Sequence, residues 1–159
     1  MKRVEKVIQR LLPEIAQKRV LEPDCGCAEF SIAAAKYASE VICFDLDDQR
    51  LNPEATQTPQ LRFEIMDATA MRFPDASFDT VVLYNAIGHL VQIAEPVLRE
   101  CRRALSADGA IWIVSSFRMD KAVIQETVLP LLEQLGYAYE VQNDANFVYV
   151  RIAETEKNI

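Results

Sequence analysis

The chain has little glycine, one histidine, one tryptophan and no long apolar run. Four glycines in 159 residues is few for a fold with many tight turns, because such turns ask for positive φ. One histidine leaves no His-rich metal cluster, and the four cysteines supply none. Cys25-Gly26-Cys27 is too tight for the usual structural zinc spacing, and Cys43 and Cys101 stand alone. No run approaches the ~20 apolar residues that cross a bilayer, so no membrane partner is expected. The leading MKRVEKVIQR alternates charged with apolar groups, unlike a signal peptide. Excess positive charge is also missing. Lys and Arg number 17 against 24 Asp and Glu, a net charge of -7. Such a surface repels phosphate backbones and speaks against general nucleic-acid binding.

What is present is a half-apolar chain, 50% hydrophobic with 26% charged residues, which excludes disorder. Its length fits one domain, which buries roughly two-thirds of its unfolded surface without disulfide or metal. The cysteines are therefore expected to be reduced, small and mostly buried, in a cytoplasmic protein. Charge is uneven. Residues 1–19 hold six basic groups against Glu5 and Glu14, net +4, which leaves -11 for the other 140 residues. The basic leader reads as a solvated helix face or as a surface for an acidic partner.

Val4, Val7, Ile8, Leu11, Leu12 and Ile15 form one helical stripe, with a break expected at Pro13. This amphipathic helix, residues 1–18, should pack on a single domain spanning 19–159. Strands are expected at Arg19–Pro23, Val41–Phe44, Leu61–Met66, Thr80–Tyr84 and Ala110–Val114. Runs apolar on both faces mark central parallel strands. Helices are expected at 28–38, 93–105 and 120–135, with a kink at Pro130, and 52–60 reads as a short helix running into a loop. Tyr137–Val141 and Phe147–Ile152 close the chain as a hairpin. The alternation predicts an α/β fold. It is a Rossmann-like, seven-stranded, mostly parallel sheet with a terminal antiparallel hairpin and helices on both faces.

In such sheets ligands bind beyond the carboxyl ends of the strands. There the first strand runs into Glu22-Pro23-Asp24-Cys25-Gly26-Cys27-Ala28, the second ends at Asp45, the third at Asp67, and the fourth at Tyr84-Asn85 with Gly88-His89 beyond. Each acid alone could simply cap a helix. Three in succession can accept from ribose hydroxyls, an adenine amino group or a cationic ligand.

These segments resemble those of class I S-adenosylmethionine-dependent methyltransferases of the small-molecule type. Residues 20–28 resemble the glycine-rich first motif, Val41–Leu46 the ribose-binding second, and Met66-Asp67-Ala68 the adenine element. Phe73–Asp79 resembles the lead into strand four, Ile87–Leu90 a Leu-His-His-Leu pattern, and Glu100–Gly109 an E-x-x-R-x-L-x-x-x-G segment. The resemblance implies S-adenosylmethionine as cofactor and in-line methyl transfer to a small-molecule acceptor. Under it Glu22 and the backbone around Gly26 hold the methionine end. Asp45 accepts from the ribose hydroxyls and Leu46 packs on adenine. Asp67 takes the adenine amino group, the Ala68 N–H a ring nitrogen, and the backbone near Asn85 the ammonium group. No metal is implied.

The pattern departs in one place that matters. The first motif normally carries three glycines; here the positions read Asp24, Gly26 and Ala28. Asp24 would attract the cationic sulfonium and ammonium, repel the ligand's carboxylate, or turn outward and do neither. The cleft is expected to be open unless a second copy covers it, which would suit a bulky acceptor or a homodimer. His89 is the candidate base; its alternative role is a hydrogen bond that positions its loop. The competing functional reading is a methyltransferase-like binding protein without catalysis. A nicotinamide dehydrogenase needs G-x-G-x-x-G, for which the chain offers only Asp24, Gly26 and Glu29.

Overall fold

Alternation along the strands feeds two cores, one on each face of a seven-stranded sheet. The computed structural model describes residues 2–153. Met1 of the expected leading helix and residues 154–159 of the expected domain lie outside the described residues. The strands are β1 (Arg19–Pro23), β2 (Glu40–Asp45), β3 (Leu61–Ile65), β4 (Phe78–Tyr84), β5 (Leu105–Ser116), β6 (Ala138–Asn143) and β7 (Phe147–Ala153). Their order is β3-β2-β1-β4-β5-β7-β6. The first five are parallel, and β7 lies antiparallel between β5 and β6. The order reverses between β1 and β4, so the connections that leave these two paired strands go to opposite faces and open a crevice at their carboxyl ends.

On one face, Val20, Val41, Val82, Val114 and Tyr149 meet α1 (Arg3–Arg10), α2 (Leu12–Ile15) and α3 (Glu29–Ala34). Pro13 opens α2, the expected break. On the other face, Leu21, Ile42, Val81, Leu83, Ile111 and Ile113 meet α4 (Ile87–Leu90), α5 (Ala94–Ala104), α6 (Phe117–Val123) and α7 (Leu129–Gln134). Between α6 and α7, residues Ile124–Val128 form a π-helical turn. Pro130 sits in the first turn of α7; a widened turn before it accommodates the missing N–H.

Several expected bounds move: β4 begins at Phe78 rather than Thr80, α3 ends at Ala34 rather than 38, and the helix expected from 120 begins at Phe117. β5 begins at Leu105 rather than Ala110, with a register shift opposite Phe78 and Thr80. Gly109 lies inside it because a Cβ there would stand 2.6 Å from the Asp79 carbonyl oxygen. Between β2 and β3 there is no α-helix, only a 3-10 turn at Pro53–Gln57 whose start is capped by the Asn52 side chain. The E-x-x-R segment has a structural reason. Arg103 donates to the Phe73 and Met71 carbonyls, to Asp75 and to Glu100, while Glu100 accepts from the Met71 N–H. This staples the loop that enters β4. Among the described residues no helix is long and apolar enough to cross a membrane.

Candidate functional site

The chain leaves β1 through three left-handed residues in alternate positions. Asp24 has φ +53°, Gly26 +56° and Ala28 +66°. These are the three places where glycine is expected, and the backbone bends there as glycine would allow. Asp tolerates this region better than most residues; for Ala28 it costs about 1–2 kcal/mol. The bend persists because neighbours hold it. The Cys25 N–H donates to the Phe44 carbonyl (3.0 Å), and the Asn52 N–H to the Cys27 carbonyl (3.2 Å). The Gly26 N–H donates to Asp45 Oδ2 (2.8 Å).

A cleft of about 170 Å³ opens above this loop, lined by Asp24, Gly26, Arg50, Tyr84, Asn85 and His89 among others. A narrower recess of about 40 Å³ continues from it over Phe44, Asp45, Leu46, Met66, Asp67, Ala68 and Ile93. Asp24 lines both. A larger cavity of about 300 Å³ lies behind α3 between Lys2, Lys36 and Glu54; it shares Cys27 and Glu29 with the cleft but touches none of the strand-end aspartates.

Asp45 is held by two backbone groups, Gly26 N–H on Oδ2 and its neighbour Leu46 N–H on Oδ1 (2.8 Å). A carboxylate has about four acceptor positions, so each oxygen keeps one for a hydroxyl. Leu46 stands 68% exposed on the rim. Asp67 Oδ1 accepts from the Thr69 N–H (2.8 Å) and hydroxyl (2.7 Å), and those bonds hold its carboxyl below the ordinary range. Asn85, at φ +50°, ties the ends of β4 and β5. Its N–H donates to the Val114 carbonyl (2.8 Å), and its Oδ1 accepts from the Ser116 N–H (3.1 Å). Tyr84 lies between the rings of Phe30 and Phe147, and burial pushes its hydroxyl pKa up.

Asp24 and His89 face each other, with Asp24 Oδ2 3.5 Å from His89 Nδ1 and the imidazole side chain 63% exposed. That oxygen is enclosed and has no hydrogen-bond partner. Burial and then the charge of Asp45 push the Asp24 carboxyl above its ordinary value, with His89 pulling the other way.

Glu22 lines neither half. It is 1% exposed beneath the loop, where Oε1 accepts from the Ser31 hydroxyl (2.6 Å) and N–H (3.2 Å). Burial drives its carboxyl well up and Ser31 opposes this. Glu22 thus clamps α3 to β1 under the loop. All four cysteines are free, and all but Cys27 are buried. Cys25 and Cys43 are buried in one cluster, and the neighbouring Cys43 thiol together with burial pushes the Cys25 thiol up.

Sequence reasoning missed Arg50. Its guanidinium reaches over the loop, 3.5 Å from where a Gly26 Cβ would stand. It brings a positive charge into a cleft whose carboxylates are Asp24 and Glu29. The signal was a single basic residue five positions beyond Asp45, in a stretch holding Asp47 and Asp48.

A family model described as a methyltransferase domain matches residues 21–113. The chain belongs to the class I S-adenosylmethionine-dependent methyltransferases. A Mycobacterium tuberculosis protein named as a probable S-adenosylmethionine-dependent methyltransferase is 34% identical over 120 residues, 74% of this chain and 43% of that one. Ajmaline N-methyltransferase of Rauvolfia serpentina is 25% identical over 134 residues, 77% of this chain and 44% of that one. The chain thus spans under half the length of these relatives. The fold matches that of a SAM-dependent methyltransferase from Aquifex aeolicus, with TM-score 0.76 at 14% identity over 94% of this chain and 88% of that one. The family's cofactor is S-adenosylmethionine. The residues present fit it: Asp45 retains acceptor positions for two hydroxyls, Gly26 leaves the loop without a side chain under Arg50, and a buried carboxylate oxygen of Asp24 lacks a donor.

Proposed function

We propose that the protein is an S-adenosylmethionine-dependent methyltransferase that acts on a small molecule. The observation that carries this is the first-motif loop. With one glycine in place of three it still takes positive φ at 24, 26 and 28 and still presents Gly26 to Asp45. The departure in sequence is not a departure in backbone, which weighs against a site that has lost its cofactor.

When bound, the cofactor supplies an electrophilic methyl group for in-line transfer to a nucleophile of the acceptor. Asp45 accepts from the ribose hydroxyls through the positions its backbone donors leave free. Leu46 and Ile93 cover the adenine, the Ala68 N–H meets a ring nitrogen, and Asp67 meets the amino group. Gly26 allows close approach at the amino-acid end, Arg50 takes the carboxylate, and the backbone at Asn85 receives the ammonium. Orientation is the main contribution of such a site. His89 stands at the mouth, where its exposed ring takes the acceptor's proton. Ajmaline N-methyltransferase, by its name, acts on ajmaline, which supports a small-molecule acceptor. The net charge of -7 supports one that is not nucleic acid. The free thiols of all four cysteines support a cytoplasmic setting.

Calorimetric titration with S-adenosylmethionine and S-adenosylhomocysteine tests the reading. Saturable heat with a shift in melting temperature is expected; neither effect at millimolar ligand sinks it. For the base, transfer of labelled methyl to a panel of small nucleophiles should fall about 100-fold in His89→Gln, with S-adenosylhomocysteine binding intact. A parallel loss of binding would make His89 a loop-positioning residue instead.

A further inference from the structure

Asp24 stands where the two halves of the cleft join, and it lines both. Its Oδ2 is enclosed and accepts no hydrogen bond. The group that faces it, His89 Nδ1, is 3.5 Å away on a side chain that lies mostly in solvent. Asp45 is near enough that its like charge adds to the effect of burial in raising the Asp24 carboxyl. An enclosed carboxylate oxygen without a donor is costly. Glycine at position 24 would take φ +53° with less strain, so the fold carries a charge there that the turn does not require.

A positive charge at the junction would offset the like charge of Asp45 and so relieve that cost, and a neutral thioether, which has neither charge nor donor, would not. The cofactor and its product differ in this respect. Both have an adenosine part and an amino-acid part joined through one sulfur. That sulfur is a sulfonium before methyl transfer. Afterwards the C–S bonding pair remains on sulfur, which becomes a neutral thioether. We propose that Asp24 reads this charge, so that the protein binds S-adenosylmethionine in preference to S-adenosylhomocysteine and releases its product readily. The inference rests on the cofactor reading above and deepens it. Arg50 does not oppose this role, because it addresses the carboxylate that both ligands share.

Calorimetry on the wild-type chain, Asp24→Asn and Asp24→Gly near neutral pH decides the matter, with each ligand titrated separately. A charge pair in a partly solvated cleft is worth about a factor of ten. The wild type should therefore prefer S-adenosylmethionine by about tenfold. Both variants should lose most of that preference, through weaker S-adenosylmethionine binding with S-adenosylhomocysteine binding held or improved. Asp24→Gly restores the residue the family uses, so it guards against a folding defect in Asp24→Asn. A ratio that stays the same in all three proteins overturns the inference and leaves the cofactor reading standing. Equal loss for both ligands also overturns it, because Asp24 would then be reading the shared ammonium. Failure of the wild type to bind either ligand overturns the cofactor reading, and this inference with it.

Discussion

The two halves of the cleft are built on different terms. In the recess, Asp45, Leu46, Asp67 and Ala68 follow the family's pattern residue for residue, each at or just past a strand end. Around the loop, Asp24 and Ala28 replace glycine, and Arg50 arrives from a segment without an α-helix. One half relies on side chains where the pattern puts them. The other relies on a backbone shape that survives a change of side chains. The contrast teaches that a glycine motif specifies φ values, and that neighbours such as Asp45 and Asn52 can impose those values on other residues at a cost.

Four substitutions test that division, beginning with the strongest. Asp45→Ala removes the ribose acceptor and the partner of the Gly26 N–H together. Affinity for S-adenosylhomocysteine should fall about 100-fold, as losing charge-assisted hydrogen bonds implies; a loss below threefold by calorimetry would detach the recess from the ligand. Arg50→Gln should weaken S-adenosylmethionine and S-adenosylhomocysteine about tenfold and leave 5′-methylthioadenosine, which lacks the amino-acid part, unchanged. Uniform weakening of all three would make Arg50 a loop support.

Asp24→Gly should stabilise the fold by about 1 kcal/mol through relief of the left-handed backbone. A pH dependence comes with it. The Asp24 carboxyl is raised in the folded state, so the fold favours its protonated form. The wild type therefore loses stability as pH rises from the ordinary carboxylate range through the raised value, and the variant escapes that loss. Urea melts should show a larger gain at neutral pH than in acid; a gain independent of pH would mean that only the backbone matters. Ala28→Gly is the mildest change. Relief of about 1–2 kcal/mol is set against a buried methyl worth about 0.8 kcal/mol, so a net shift under about 1 kcal/mol is expected in the same melts.

The acids at the ends of β2 and β3 were legible because an apolar run that stops at a carboxylate marks a buried strand reaching solvent. The mostly parallel sheet with its terminal hairpin was legible from the alternation of elements. Glu22 lies at the strand end where the sequence puts it, but its surroundings are not legible there. Its pairing with Ser31 depends on how α3 folds back over β1, and nothing local in the chain announces that. Arg50 was missed for a related reason. Its reach follows from the Asn52 N–H anchoring to the Cys27 carbonyl, a contact between segments 25 residues apart in the chain. The early start of β5 was hidden by Asp108-Gly109, which reads as a turn. There the glycine serves close approach to the Asp79 backbone rather than chain reversal.

Leu46 and Ile93, 68% and 42% exposed on the rim of the recess, bear on the temperature dependence of binding. In the free chain their apolar surface is hydrated, and a flat aromatic ring settling between them would shed that water. Heat capacity should fall on complex formation, so the enthalpy of titration should become steadily more favourable as the cell is warmed. Trimming either side chain to alanine should flatten that slope.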